Sequence, residues 1–169
     1  MNLLDRLLKH DAWTTGRLIE QSRWLSDAQL DQEFDLGWRT VRATLNHLVE
    51  NMEGWTDLMT GLPDRHPQGA PQVLQTLDAL QMRLEGVIPQ LAAVAHQKDT
   101  HGQLDDLWTL RPEPLVQLSY GGSIAHVITH SMHHRAQLIH MLKRLGVQNV
   151  IEGDVLTWEE QARGTAALP

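Results

Sequence analysis

The sequence predicts an all-α fold, an antiparallel four-helix bundle with a long crossover before the last helix, and three observations carry that prediction. Apolar residues recur at three- and four-residue intervals over four long segments. Punctuation rich in Gly and Pro separates those segments. One connection, residues 99–122, contains Pro112, Pro114 and the Gly121-Gly122 pair, which exclude a continuous helix and make it the crossover or a lid. The 169 residues, 41% apolar and free of repeats, suffice for one domain with a buried core, so a single domain over 1–169 is expected.

The first helix is expected over about Asn2 to Trp24, where Leu3, Leu4, Leu7, Leu8, Trp13, Leu18 and Ile19 keep helical spacing. Ser26-Asp27 offers an N-cap for a short turn through Leu30. Gly37 precedes the second helix, roughly Arg39 to Met59, whose apolar stripe includes Val41, Leu45, Leu48, Met52 and Trp55. Gly61 to Pro71 reads as a loop, and its last proline suits the first turn of a third helix running to about His96. Pro89 removes an internal hydrogen bond from that helix and is expected to kink it. Leu115 to Tyr120 alternate as an extended piece would. The fourth helix is expected from Ser123, an N-cap candidate, to Leu145, with Lys143 and Arg144 suited to its C-terminus and Gly146 ending it. A short helix around Asp154, Trp158, Glu159 and Glu160 completes the chain.

Composition narrows the chemistry. A formal charge of −7 with no basic cluster argues against nucleic acid as a partner, since such binding depends on Lys and Arg neutralising phosphates. No run approaches the ~18 apolar residues that span a bilayer, so a cytoplasmic protein without a membrane partner is expected. The chain has no Cys, which excludes disulfides, thiolate metal sites and a Cys nucleophile. It has ten His, scattered along the chain and not bunched as a tag would be.

Three of these histidines stand out: His47 in the middle of the second helix, and His130 with His134 in the fourth. The last two are one helical turn apart, so both imidazoles leave one face. On a helical wheel with His126 at zero they fall at about 40° and 80°, within the stripe that Val127, Leu138, Met141 and Leu145 define. His133 lies on the flank and His126 at the stripe's edge, where it is either a neighbour of the site or a partly buried histidine. The alternative to a ligand role is a set of core histidines satisfied by hydrogen bonds. Burying imidazole nitrogens unpaired costs about 1–3 kcal/mol per group, and a metal ion resolves that cost for several rings together. A third imidazole from a neighbouring helix would make an open three-His site of the catalytic kind. Ser131 follows His130, so the general-base Glu of the H-E-x-x-H metalloprotease helix is missing.

The run Thr129-His130-Ser131-Met132-His133-His134-Arg135-Ala136-Gln137, followed by Leu145-Gly146, resembles the final-helix signature of the DinB/YfiT-like family. His47-Leu48-Val49-Glu50 with Trp55 is similar to that family's second-helix motif, and the order of helices matches over nearly the whole chain. Thr129 and Ala136 depart from the Asn and Gly the family often carries, which bears on the subgroup and not on the ligands. The resemblance implies an up-down-down-up four-helix bundle, often a homodimer, with a divalent metal held by His47, His130 and His134; three imidazoles by themselves suit zinc, nickel, iron or copper. Family members that have been assigned activities include thiol transferases and isomerases using low-molecular-weight thiols. The family name records damage-inducible expression and says nothing of DNA contact.

The expected function is therefore a metal-dependent enzyme, a thiol-dependent S-transferase or a hydrolase, acting on a small electrophile. Its alternative is a noncatalytic, stress-induced bundle with a structural or vestigial metal site. Glu50, Asn51 and Gln137 are candidates to orient ligands or water. Trp108 and Tyr120 are candidates to line a pocket beside the metal, while Trp13, Trp38 and Trp55 read as core or interface packing. His10, His66 and His101 read as solvated.

Overall fold

A computed structural model describes residues 1–66, 75–110 and 115–164. Among them are six helices and one two-stranded sheet. Helix α1 spans Leu3–Ser22 and begins in a capping box, with Asn2 accepting from the Asp5 amide and Asp5 accepting in return. The short α2, Asp27–Leu30, starts in the same way from Ser26 and Gln29. Helix α3, Val41–Thr60, is capped by Thr40 and stops at Gly61, whose φ of 73° lets the chain turn in the left-handed region. Helix α4, Leu77–Thr100, is capped by Thr76 and remains helical through Pro89. The expected start of this helix near Pro71, and its Leu74, lie outside the described residues.

The crossover contains the element that an all-α expectation omits. Strands β1, Leu107–Leu110, and β2, Val116–Ser119, pair antiparallel with Leu107 opposite Ser119 and Leu110 opposite Val116. The fold is thus mostly helical with a small hairpin, and the extended piece expected near Leu115 is β2. Helix α5 covers Tyr120–Arg144, starting three residues earlier than the sequence suggested. The cap is Ser119, not Ser123: Ser119 Oγ accepts from the Gly122 amide at 3.1 Å. Gly121 and Gly122 therefore belong to the first turn. That turn needs a glycine, because the Gly121 amide donates to Leu104 O at 2.7 Å and a Cβ there would stand 3.0 Å from the same oxygen. Helix α6, Val155–Ala162, is capped by Asp154 and seats the buried Trp158.

Helix α3 packs on α4 and α5, and α1 packs on α5, α4 and α6. Their apolar stripes meet in one core around Leu18, Leu45, Leu48, Leu80, Leu138 and Met141. Two polar ties cross it. Asp11 on α1 and Arg135 on α5, both 2% exposed, form an ion pair beside Thr15. Burial pushes the Asp11 carboxyl up to about 6, against the downward pull of Arg135. Glu53 on α3 accepts from Arg83 on α4 at 2.5 Å. No helix among the described residues is long and apolar enough to cross a membrane.

Candidate metal centre

The packing of α3 on α5 brings His47 against the pair His130 and His134. Nε2 of His130 lies 3.4 Å from Nε2 of His47 and 3.3 Å from Nε2 of His134. The three form a group able to hold a metal ion, with one ligand atom each and all three atoms within 4.8 Å of one another. Four-coordinate zinc with nitrogens at about 2.0–2.1 Å sets them about 3.3–3.4 Å apart, and the two separations from His130 have that spacing.

The electrostatics favour the same chemistry. Burial, then the neighbouring His134 and His130, depress the His47 imidazole to about 4. Burial, then His134, His126 and His133, hold His130 at about 4. Burial also lowers His134, partly offset by its bond to Gln137. All three rings are neutral at neutral pH, which is the state that offers a lone pair.

Gln137 orients one of them. His134 Nδ1 donates to Gln137 Oε1 at 2.9 Å, leaving Nε2 as the free lone pair turned toward the other two rings. Gln137 Nε2 in turn donates to His133 Nε2 at 3.0 Å. His133 is exposed and stays outside the group, as its flank position predicts. Gly37 backs this amide, since a Cβ there would overlap Gln137 Oε1.

Aromatic rings bracket the group. Trp38, expected in packing, is 41% exposed and stacks on His47 at 4.3 Å between centroids. At the other end His126, also exposed, lies 5.3 Å from His130 and 4.9 Å from Trp55. Trp55 then meets Trp108 at 6.2 Å. Trp108 and Tyr120 line a cavity of about 470 Å³ together with Met59, Val94 and Lys98. The histidines of the group are not among its lining residues, so this pocket adjoins the row of rings and not the three nitrogens.

Other candidates are placed differently from the sequence reading. His10 is 7% exposed, not solvated, with Nε2 2.8 Å from Gly153 O, where it ties α1 to the segment before α6. His66 is part-buried and its Nε2 lies 2.5 Å from Glu53 Oε2. His101 is exposed, as expected. Glu50 Oε1 accepts from Asn46 Nδ2 at 2.7 Å. Three functional features escaped the sequence reading: Trp38 over His47, Gly37 behind Gln137, and the buried Asp11–Arg135 pair next to His134. Trp38 and Gly37 are adjacent in sequence just before α3, and that adjacency was the only signal of a loop folded back onto the site.

Comparison with known proteins follows the same lines. The DinB family model matches residues 1–163, essentially the whole chain. A search of curated proteins finds no match.

Proposed function

Because this chain belongs to the DinB family, we propose that it is a divalent-metal-dependent enzyme whose metal ligands are the Nε2 atoms of His47, His130 and His134. The observation that carries this reading is the convergence of three neutral imidazole nitrogens, at steps of 3.3 and 3.4 Å, from two helices. A zinc, nickel or iron ion bound there would supply Lewis acidity to a water or an exogenous thiol in an open position. The reaction is a thiol-dependent S-transfer to a small electrophile, or hydrolysis. A chain without Cys must receive its thiol as a low-molecular-weight partner.

The chain's own residues prepare the site. Gln137 holds the His134 proton on the outer nitrogen, and Asp11 fixes Arg135, the residue after that histidine, to α1. Trp38 covers one face of His47, while the exposed His126 and half-buried Trp55 stand at the other end of the group. The same reading includes a single domain with up-down-down-up bundle topology, a homodimer and a cytoplasmic location.

Elemental analysis of untagged protein, beside the His134→Ala variant, tests the centre. About one divalent ion per chain in the wild type and none in the variant is the expected result. Absence of metal from the wild type after reconstitution overturns the reading. Turnover that requires both metal and an added thiol separates S-transfer from hydrolysis.

A further inference from the structure

His47 is held differently from the other two rings of the group. His134 is tied through Nδ1 to Gln137 Oε1 at 2.9 Å, and His130 stands between His126 and His134 on its own helix. His47 comes alone from α3, and its Nε2 is the only ring atom with a hydrogen-bond contact among the described residues. The last torsion of a histidine is broad, so a neighbour must choose the plane of the ring. Trp38 does so: the two rings stack at 4.3 Å between centroids and 28° between planes. The other ring contacts of the three histidines among the described residues are tilted or edge-on.

The backbone bends to put the indole there. Trp38 lies two residues before Thr40, the cap of α3, and between two residues in the left-handed region, Gly37 at φ +49° and Arg39 at φ +69°. An L side chain such as that of Arg39 persists in this region only where its surroundings over-determine it, and such strain clusters at functional sites. Here Phe34 N–H donates to Arg39 O at 2.7 Å, Arg39 N–H donates to Leu36 O at 2.9 Å, and the Arg39 guanidinium pairs with Glu33 at 2.5 Å. Core packing does not account for the placement, since Trp38 is 41% exposed.

The face of an indole is electron-rich and attracts positive charge within about 6 Å of its centre, more strongly than the face of Tyr or Phe. A neutral imidazole gains little from that face, whereas an imidazole holding a divalent ion shares the ion's charge and gains more. We propose that Trp38 is a positioning residue for the metal: its indole fixes the plane of His47 and favours the metal-bound form of that ring over the free one. A contact that is stronger in one state shifts the equilibrium toward that state. The effect on metal affinity rests on the three-His reading, whereas the stack itself does not.

Chelator competition for zinc tests this on full chains that carry singly, doubly or triply fluorinated tryptophan in place of Trp38 alone. Fluorine withdraws electrons from the face and leaves the shape of the indole nearly unchanged. Affinity is expected to fall stepwise with fluorine number, Trp38→Leu to lose about 3–10-fold, and Trp38→Phe to lie between Trp38→Leu and wild type. In metal-free wild type the His47 ring protons, identified by His47→Gln, are expected upfield of their positions in Trp38→Leu, shifted by the ring current of the stacked indole. Zinc affinity that is flat across the fluorinated series overturns the proposal, and so does the absence of the upfield shift. Should Trp38→Leu fail to fold, the fluorinated proteins decide. A wild type that binds no zinc sinks the three-His reading and the proposal with it; a wild type that binds zinc, with a flat fluorinated series, sinks the proposal alone.

Discussion

Gly37 lies in a loop outside the three-His group, yet Gly37→Ala is expected to damage that group through Gln137. The backbone at Gly37 has φ of +49°, a conformation that costs an L side chain about 1–2 kcal/mol. The new Cβ would overlap Gln137 Oε1 and stand 3.0 Å from its Nε2. These atoms end a flexible side chain, so Gln137 relieves the overlap by swinging away at little steric cost. The consequence is chemical: the His134 Nδ1–H loses its acceptor at 2.9 Å, a net loss of about 0.5–1.5 kcal/mol. The fold should lose about 2–3 kcal/mol in all. Removing the partner of a metal-bound histidine weakens metal binding by ~10–100-fold. Zinc affinity by chelator competition on wild type, Gly37→Ala, Gln137→Ala and the double variant reads the effect. Because the Cβ acts only through the amide, the double variant should bind zinc as Gln137→Ala does, a non-additive outcome. A Gly37→Ala protein within twofold of wild type, while Gln137→Ala loses tenfold, would refute this reasoning.

Arg135→Ala leaves the Asp11 carboxylate buried without its partner, at a cost of about 3–5 kcal/mol. For a chain of this size that lowers Tm by roughly 6–20 °C in a thermal melt, whereas Asp11→Leu with Arg135→Met should be near wild type. Burial raises the Asp11 carboxyl to about 6 in the fold, so its contribution to stability is present below the ordinary carboxylate value and is lost as pH rises through about 6. Denaturant titrations of wild type and Asp11→Asn from pH 4 to 7 should show the wild type losing ground to the variant over that window. The three histidines shift the other way: His47 and His130 fall to about 4, so the stability of their neutral forms is present above the ordinary histidine value and is lost as pH falls through about 4. Cobalt bound at the site, followed by its visible absorbance, should accordingly remain at pH 6 and dissociate near pH 4; half-release near pH 6.5 would contradict the burial argument.

Much of this protein is written in short-range terms that the chain alone carries. The 3.6-residue period of α1, α3 and α5, the caps at Ser26 and Asp154, and the stop at Gly61 depend on neighbours within a turn or two, and they appear where local rules place them. The selection of His130 and His134 over His133 is of the same kind, since position on one helix decides which rings face inward. Family membership was legible too, because it rests on short motifs and their order.

What the tertiary structure decided is everything that depends on which helices meet and in what register. The start of α5 at Tyr120 follows from Leu104 and Asp106 O accepting the first amides of that helix, contacts 14 to 17 residues away that override Ser123 as a cap. His10 is buried because α6 and Gly153 fold across α1, 143 residues on, where helical period alone placed it near the surface. Above all, the meeting of His47 with His130 spans 83 residues, and the loop that lays Trp38 on His47 and Gly37 on Gln137 has no periodicity to read. A side chain's direction is set by its own helix, but its partner is set by the packing of that helix against others. The chain by itself thus determined which nitrogens point inward, and only the fold decided that three of them converge at a spacing a metal ion can bridge.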